Sequence, residues 1–205
     1  NESTWIAQRN GRTKDGDDKT QVAVLKMLAM SSSRPFAENL AEMNIAPIAV
    51  SYEYEPCDAL KTQEVYLLRK NGTYTKTANE DLNSIVTGIR QFKGRISYTF
   101  CPPITETELA SCQEAPHKER FRLLAEIIDR RIYSGYRLFK TNYMAYDLLE
   151  GTHRFTQQYS DEDLKEFIAY TDERTSSFEG DRDELQKIFL GIYANPVRNC
   201  IDNNI

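Results

Sequence analysis

The stretch Ile45-Ala46-Pro47-Ile48-Ala49-Val50 decides the fold class. Apart from Pro47 every residue in it is aliphatic, with no polar position to face water. Such a run fits a strand covered on both faces, as in an α/β sheet. Pro47 has no N–H to give to a ladder, so it belongs at the strand's beginning or at an edge. Upstream, residues 20–30 place Val22, Leu25, Leu28 and Ala29 at helical spacing, and residues 35–43 open on a proline suited to a first turn. Before them, Thr4-Trp5-Ile6-Ala7-Gln8 reads as a short strand running into a loop.

Downstream, residues 58–70 read as a helix, and residues 79–92 carry a stripe of Leu82, Ile85, Val86 and Ile89. Residues 95–101 alternate as a strand that Pro102-Pro103 ends. Strands separated by helices are the α/β signature. The expected domain over 1–102 is therefore a partial mixed sheet, partly parallel, built from 4–8, 45–53 and 95–101 and flanked by helices. Residues 103–205 read as an all-helical C-terminal extension. One face is Phe121, Leu124, Ala125, Ile128 and Ile132, another Leu164, Phe167 and Ile168, and a third Leu185, Ile188, Phe189 and Ile192. Ser160-x-x-Asp163 and Asp181-x-x-Glu184 mark two helix starts. Asp161 to Asp163 is accordingly a first turn that favours negative charge.

The chain has 205 residues, 40% of them apolar and 11% aromatic, which suits a folded core. A formal net charge of -5 gives no global footprint for nucleic acid. No apolar run approaches the roughly 20 residues of a transmembrane helix. Cys57, Cys101, Cys112 and Cys200 lack metal-like or redox-like spacing and read as reduced thiols of a cytoplasmic protein. The polar, acidic opening Asn1-Glu2-Ser3 is no export signal. The sequon at Asn71 is accordingly read as chance, and the absence of an initial Met suggests part of a longer protein.

Chemistry concentrates in one loop. Arg9, Arg12, Lys14 and Lys19 surround Gly11 and Gly16 directly after the first expected strand. Guanidinium groups grip phosphate bidentately, lysine adds a point charge, and glycine lets backbone amides approach the anion. Asp15, Asp17 and Asp18 oppose that reading, because they can occupy the same donors. A solvated surface loop is the plain alternative.

The run Trp5-Ile6-Ala7-Gln8-Arg9-Asn10-Gly11-Arg12-Thr13-Lys14-Asp15 resembles the third sequence block of the glycerol-3-phosphate and lysophosphatidic-acid acyltransferases. That block is a hydrophobic strand ending in Glu-Gly-Thr or Glu-Gly-Arg. The run at 45–50 resembles the family's fourth block, a hydrophobic strand containing proline. The tail, with Tyr143-Met144-Ala145-Tyr146-Asp147-Leu148-Leu149, is similar to a bacterial branch. The resemblance implies acyl transfer from a thioester carrier, acyl-CoA or acyl-carrier protein, to a hydroxyl of a glycerol-phosphate or lysophospholipid acceptor. It implies no resident cofactor or metal, a cytoplasmic location and contact with a membrane surface. Arg9, Asn10, Gly11, Arg12 and Lys14 would then hold the acceptor's phosphate side, and Pro47 would lie near the acyl-donor or acyl-chain side.

Two departures stand out. Asn10 occupies the place of the family's glutamate. No His-x4-Asp block exists, since Arg122 follows five residues after His117 and Gln158 five after His153. No catalytic residue is therefore assigned, and the base is expected upstream of Asn1. His117 and His153 read as helix-surface or packing residues. The aromatics Tyr133, Tyr136, Phe139, Tyr143, Tyr146, Phe155 and Tyr159 line an acyl groove, dock at a membrane interface or fill the seams between helices. The alternative to an acyltransferase part is a non-catalytic α/β-plus-helical binding or interaction module.

Overall fold

The apolar run becomes strand β1 (Ile48–Tyr52), with Pro47 buried immediately before it. Although Pro47 gives no N–H, its carbonyl accepts from the Cys101 amide at 2.9 Å, so it starts the ladder as an acceptor. This computed structural model describes residues 2–9 and 13–205. Among them are nine α-helices and one two-stranded sheet of β1 and β2 (Ile96–Phe100).

The pairing is antiparallel, with Ile48 opposite Phe100 and Tyr52 opposite Ile96. This corrects the expected mixed, partly parallel sheet. A parallel pair needs a crossover that carries the chain back to the strand's starting end. Here two helices intervene, α3 (Asp58–Asn71) and α4 (Glu80–Arg90). The chain comes back where it left: the Tyr54 amide donates to the Lys93 carbonyl at 3.0 Å and Glu53 to Arg95 at 2.9 Å. The third expected strand is also absent. Residues 4–8 have no ladder partner among the described residues, Trp5 is 71% exposed, and the Gln8 carbonyl is tied down by the Gln21 amide at 2.9 Å.

The helices follow their periodicity. α1 (Val22–Ala29) and α2 (Phe36–Glu42) pack with α5 (Glu106–Glu114) and α6 (Arg120–Ser134) around Leu25, Leu40, Leu109, Leu124 and Ile128, with Ala49 of β1 in the same core. Residues on both sides of 102 thus share one core. α7 (Lys140–Glu150), α8 (Asp161–Thr175) and α9 (Arg182–Asp202) bury Met144, Phe167, Phe189 and Tyr193 together. Each large apolar side chain so buried contributes about 1.5–3 kcal/mol. The Ser160 hydroxyl and Asp163 carboxylate form the expected reciprocal cap of α8, and Asp181 caps α9 through the amides of Asp183 and Glu184.

A buried carboxylate joins three of these helices. Asp58, at the start of α3, accepts from the Tyr170 hydroxyl at 2.6 Å and the Tyr193 hydroxyl at 2.7 Å. The Arg174 guanidinium adds Nε at 2.9 Å and Nη2 at 2.6 Å. α3, α8 and α9 are therefore fixed to one fully buried anion.

The stripe on α4 behaves in an unexpected way. Its buried position is Ser84, whose carbonyl accepts from the Cys57 thiol at 3.4 Å, and Gly88 lies over the same sulfur. Leu82, Ile85 and Ile89 face away from that contact and are exposed. The helix thus rests on its small residues and turns its apolar stripe outward.

Candidate functional site

The loop that follows Gln8 is braced against α6 and α9. Gly16 takes a left-handed φ of 74° and lies so close to α9 that a Cβ there would stand 2.1 Å from the Ile192 carbonyl oxygen. Glycine alone meets both demands. Beside it, the Asn195 side chain donates to the Asp15 carbonyl at 2.6 Å.

The three loop aspartates act mainly as internal ties. The Asp15 carboxylate accepts from the Asp17 amide at 3.2 Å, and Asp18 accepts from the Thr13 hydroxyl at 2.7 Å. The Tyr136 hydroxyl donates to the other Asp18 oxygen at 2.9 Å. Burial first, and then that carboxylate, hold the Tyr136 proton on far above the usual range. Asp17 pairs with Lys19 at 2.6 Å. Where the loop enters α1, the Thr20 amide and hydroxyl both donate to Asp129 Oδ1 of α6, at 2.8 and 2.5 Å.

Of the expected site residues, Arg9 is half-buried and its Nη1 donates to the Asp17 carbonyl at 3.3 Å. Its Nε is buried with no hydrogen-bond partner among the described residues. Lys14 forms an ion pair with Glu64 of α3. Asn10, Gly11 and Arg12 lie outside the described residues. Pro47 is part of the sheet's acceptor ladder, as above. The loop thus places Arg9 and Lys14 on one short segment but sends them to different partners. The unsatisfied Nε of Arg9 is the group best suited to an anion oxygen, because a buried unpaired donor costs free energy until it is met.

The aromatic cluster packs the helical seams. Phe155 lies between Tyr143 and Tyr146, with ring centroids 5.0 and 5.4 Å away, and Tyr159 donates to Asp147 at 2.8 Å. Asp147 also accepts from Thr152 and from the amides of Arg154 and Phe155. Burial would raise this carboxyl, and those hydrogen bonds outweigh it to leave the pKa lowered. Asp58, Asp129 and Asp147 were not singled out from sequence, and each finds partners that no local motif announces. His117 and His153 are exposed. Among the described residues no group of three or more His, Cys, Asp or Glu is placed to hold a metal ion. Among them, too, no helix is long and apolar enough to cross a membrane.

Asp129 gives the brace a pH dependence. Burial raises its pKa, Asp17 and Asp18 push the same way, and the two Thr20 hydrogen bonds oppose them. The folded carboxyl therefore holds its proton to higher pH than the unfolded one. Stability from this group is greatest below the ordinary aspartate value of about 3.9 and falls as pH rises through the folded pKa. Asp129→Asn keeps an oxygen for Thr20 and removes the titration. Urea unfolding of both proteins across that window should show the variant gaining stability relative to the parent with rising pH. A constant difference at every pH would contradict this.

No family model matches the chain, and no match was found among curated proteins or solved structures.

Proposed function

We propose that this chain is the acceptor-side part of an acyltransferase that moves an acyl group from a thioester carrier to a hydroxyl of a glycerol phosphate. The observation that carries the reading is the buried Nε of Arg9, without a partner among the described residues, on a loop braced by α6 and α9. It stands where the chain resembles the acyltransferase block that holds the acceptor's phosphate. Arg9 and Arg12 supply guanidinium donors, Gly11 permits close backbone approach, and Asn10 adds a neutral donor in place of a repelling glutamate. Pro47 belongs to the acyl side by the same resemblance. The chain has no His-x4-Asp block, so its own part in the chemistry is to hold and orient the acceptor, with no base to take the hydroxyl proton. The acyl donor is acyl-CoA or acyl-carrier protein, and the setting is cytoplasmic, at a membrane surface.

A non-catalytic binding or interaction module is the second reading. The Lys14–Glu64 ion pair favours it, because a cation already matched by α3 is a poorer ligand for phosphate.

Calorimetric titration of glycerol 3-phosphate separates the two. Charge-assisted hydrogen bonds are worth about 1.5–3 kcal/mol, so Arg9→Ala and Arg12→Ala should each weaken binding about 10-fold or more. Equal affinity in the parent and both variants, or no binding in any, would favour the module.

A further inference from the structure

Helix α4 is held so that its apolar stripe stands free. Its small side is seated on the start of α3, where the Ser84 carbonyl takes the Cys57 thiol and Gly88 lies over the same sulfur. At its first turn Glu80 accepts from the Tyr74 hydroxyl at 2.7 Å and the Thr77 amide at 3.0 Å. Just past its last turn the Tyr54 amide bonds to the Lys93 carbonyl at 3.0 Å. The stripe of Leu82, Ile85 and Ile89 therefore has a fixed outward face, and Phe92 is exposed just beyond the helix end. Among the described residues no other helix or strand packs broadly against α4.

Charge says what suits that face. Residues 69–95 hold six lysines and arginines against two acids, a net of +4 in a chain whose total is -5. Both acids lie in the first turn of α4 and are tied locally, Glu80 by Tyr74 and Thr77 and Asp81 by Lys76. Arg90, at the other end, is exposed and has no acidic partner among the described residues. The Lys93 ammonium donates to the carbonyls of Ile89 and Gln91 at 2.9 and 2.8 Å, which places its charge beside the end of the stripe. The basic end of α4 thus borders Ile89 and Phe92, each 72% exposed.

We infer that α4 docks on an anionic lipid surface, lying flat with Ile85, Ile89 and Phe92 among the acyl chains and Arg90 and Lys93 at the headgroup phosphates. Its 11 residues rise about 16 Å, half the roughly 30 Å of a hydrocarbon core, so the helix lies on a bilayer and does not cross it. An apolar stripe bordered by cations belongs to helices that bury one face about 5–10 Å into the interface. A protein partner suits it less. At roughly 200 Å² for a large side chain, Leu82, Ile85, Ile89 and Phe92 together expose about 500 Å², short of the roughly 800 Å² a stable interface takes from each partner. Fluid acyl chains mould themselves to such a ridge without a preformed groove. The inference gives the membrane setting of the proposed function its contact face, and it stands on α4 alone, without the Arg9 loop.

The test is co-sedimentation with vesicles of phosphatidylcholine alone and of phosphatidylcholine with about one-third phosphatidylserine. The parent should partition about 10-fold or more better onto the anionic vesicles, since each cation near such a surface contributes about 5-fold. Raising the salt from about 0.1 M to about 1 M shortens the screening length from about 10 Å to about 3 Å and should remove that preference. Ile85→Ser with Ile89→Ser should lose about 10-fold or more of the binding to anionic vesicles, and Arg90→Glu should lose the preference for them. All three side chains are exposed, so circular dichroism should match the parent. The doubly substituted variant should bind glycerol 3-phosphate as the parent does. Vesicle binding by a parent that ignores glycerol 3-phosphate would remove the proposed function and leave this inference standing, and the reverse would do the opposite. A parent that pellets with neither vesicle or equally with both, or a variant that behaves as the parent, would overturn the inference. A parent that ignores vesicles yet sediments alone as a dimer would overturn it in favour of a second copy.

Discussion

Replacing Asp58 with alanine is expected to cost about 3–5 kcal/mol, the usual penalty for removing one partner of a buried ion pair. The carboxylate is fully buried and accepts from Tyr170, Tyr193 and both Arg174 nitrogens that reach it. Its loss leaves the Arg174 charge mostly out of water with no counterion, and two hydroxyls without an acceptor. Domains of ordinary stability hold only about 5–15 kcal/mol in total. The variant should therefore unfold at much lower urea, with α8 and the middle of α9, at Tyr193, released from α3. Arg174→Met should cost less than Asp58→Ala, because Asp58 keeps its tyrosine donors. The double variant should lose less than the sum of the two, since the pair is coupled. A loss below about 1 kcal/mol for Asp58→Ala, the range of an exposed salt bridge, would show that this contact does not join the helices.

The second large effect is expected at Gly16, and it reaches function. Alanine there meets a left-handed φ that costs about 1–2 kcal/mol for a residue with a Cβ. It also meets the Ile192 carbonyl oxygen at 2.1 Å, which backbone cannot yield. The loop must lift from α9 and lose the Asn195 bond to the Asp15 carbonyl. Gly16→Ala should become sensitive to proteolysis between residues 13 and 20 and should lose glycerol 3-phosphate binding about 10-fold or more, since Arg9 then has no fixed seat. A variant with an unchanged cleavage pattern and unchanged affinity would show that the brace does not position the site.

Much of the helical architecture was legible because its signals are local. Ser160 and Asp181 sit three residues before an acidic side chain, and the stripes of α6 and α9 repeat at helical spacing, so these helices stand where they were expected. Strand direction was less accessible. It depends on where α3 and α4 return the chain, and that is settled by contacts such as the one between Tyr54 and Lys93. Periodicity also does not say which way a stripe faces. The apolar residues of α4 were correctly grouped, yet Ser84 and Gly88 make its contact with Cys57.

The loop shows the same division. Its basic residues and glycines mark it in the sequence, whereas the partners that tie it down come from far along the chain. Asp129 and Tyr136 on one side and Asn195 on the other convert a charged, glycine-rich segment into a braced one. The pairing of Lys14 with Glu64 was equally remote, and it leaves Arg9 as the cation of the proposed site among the described residues.

The most direct test of the proposed function follows the backbone amides of the isotope-labelled chain by NMR during titration with glycerol 3-phosphate, with glycerol as the control. The account predicts saturable shifts that begin in residues 9–19, fade toward α6 and α9, and vanish when glycerol replaces the phosphate ester. Shifts confined to other surfaces, or equal responses to both compounds, would contradict the assignment of this loop to the acceptor's phosphate.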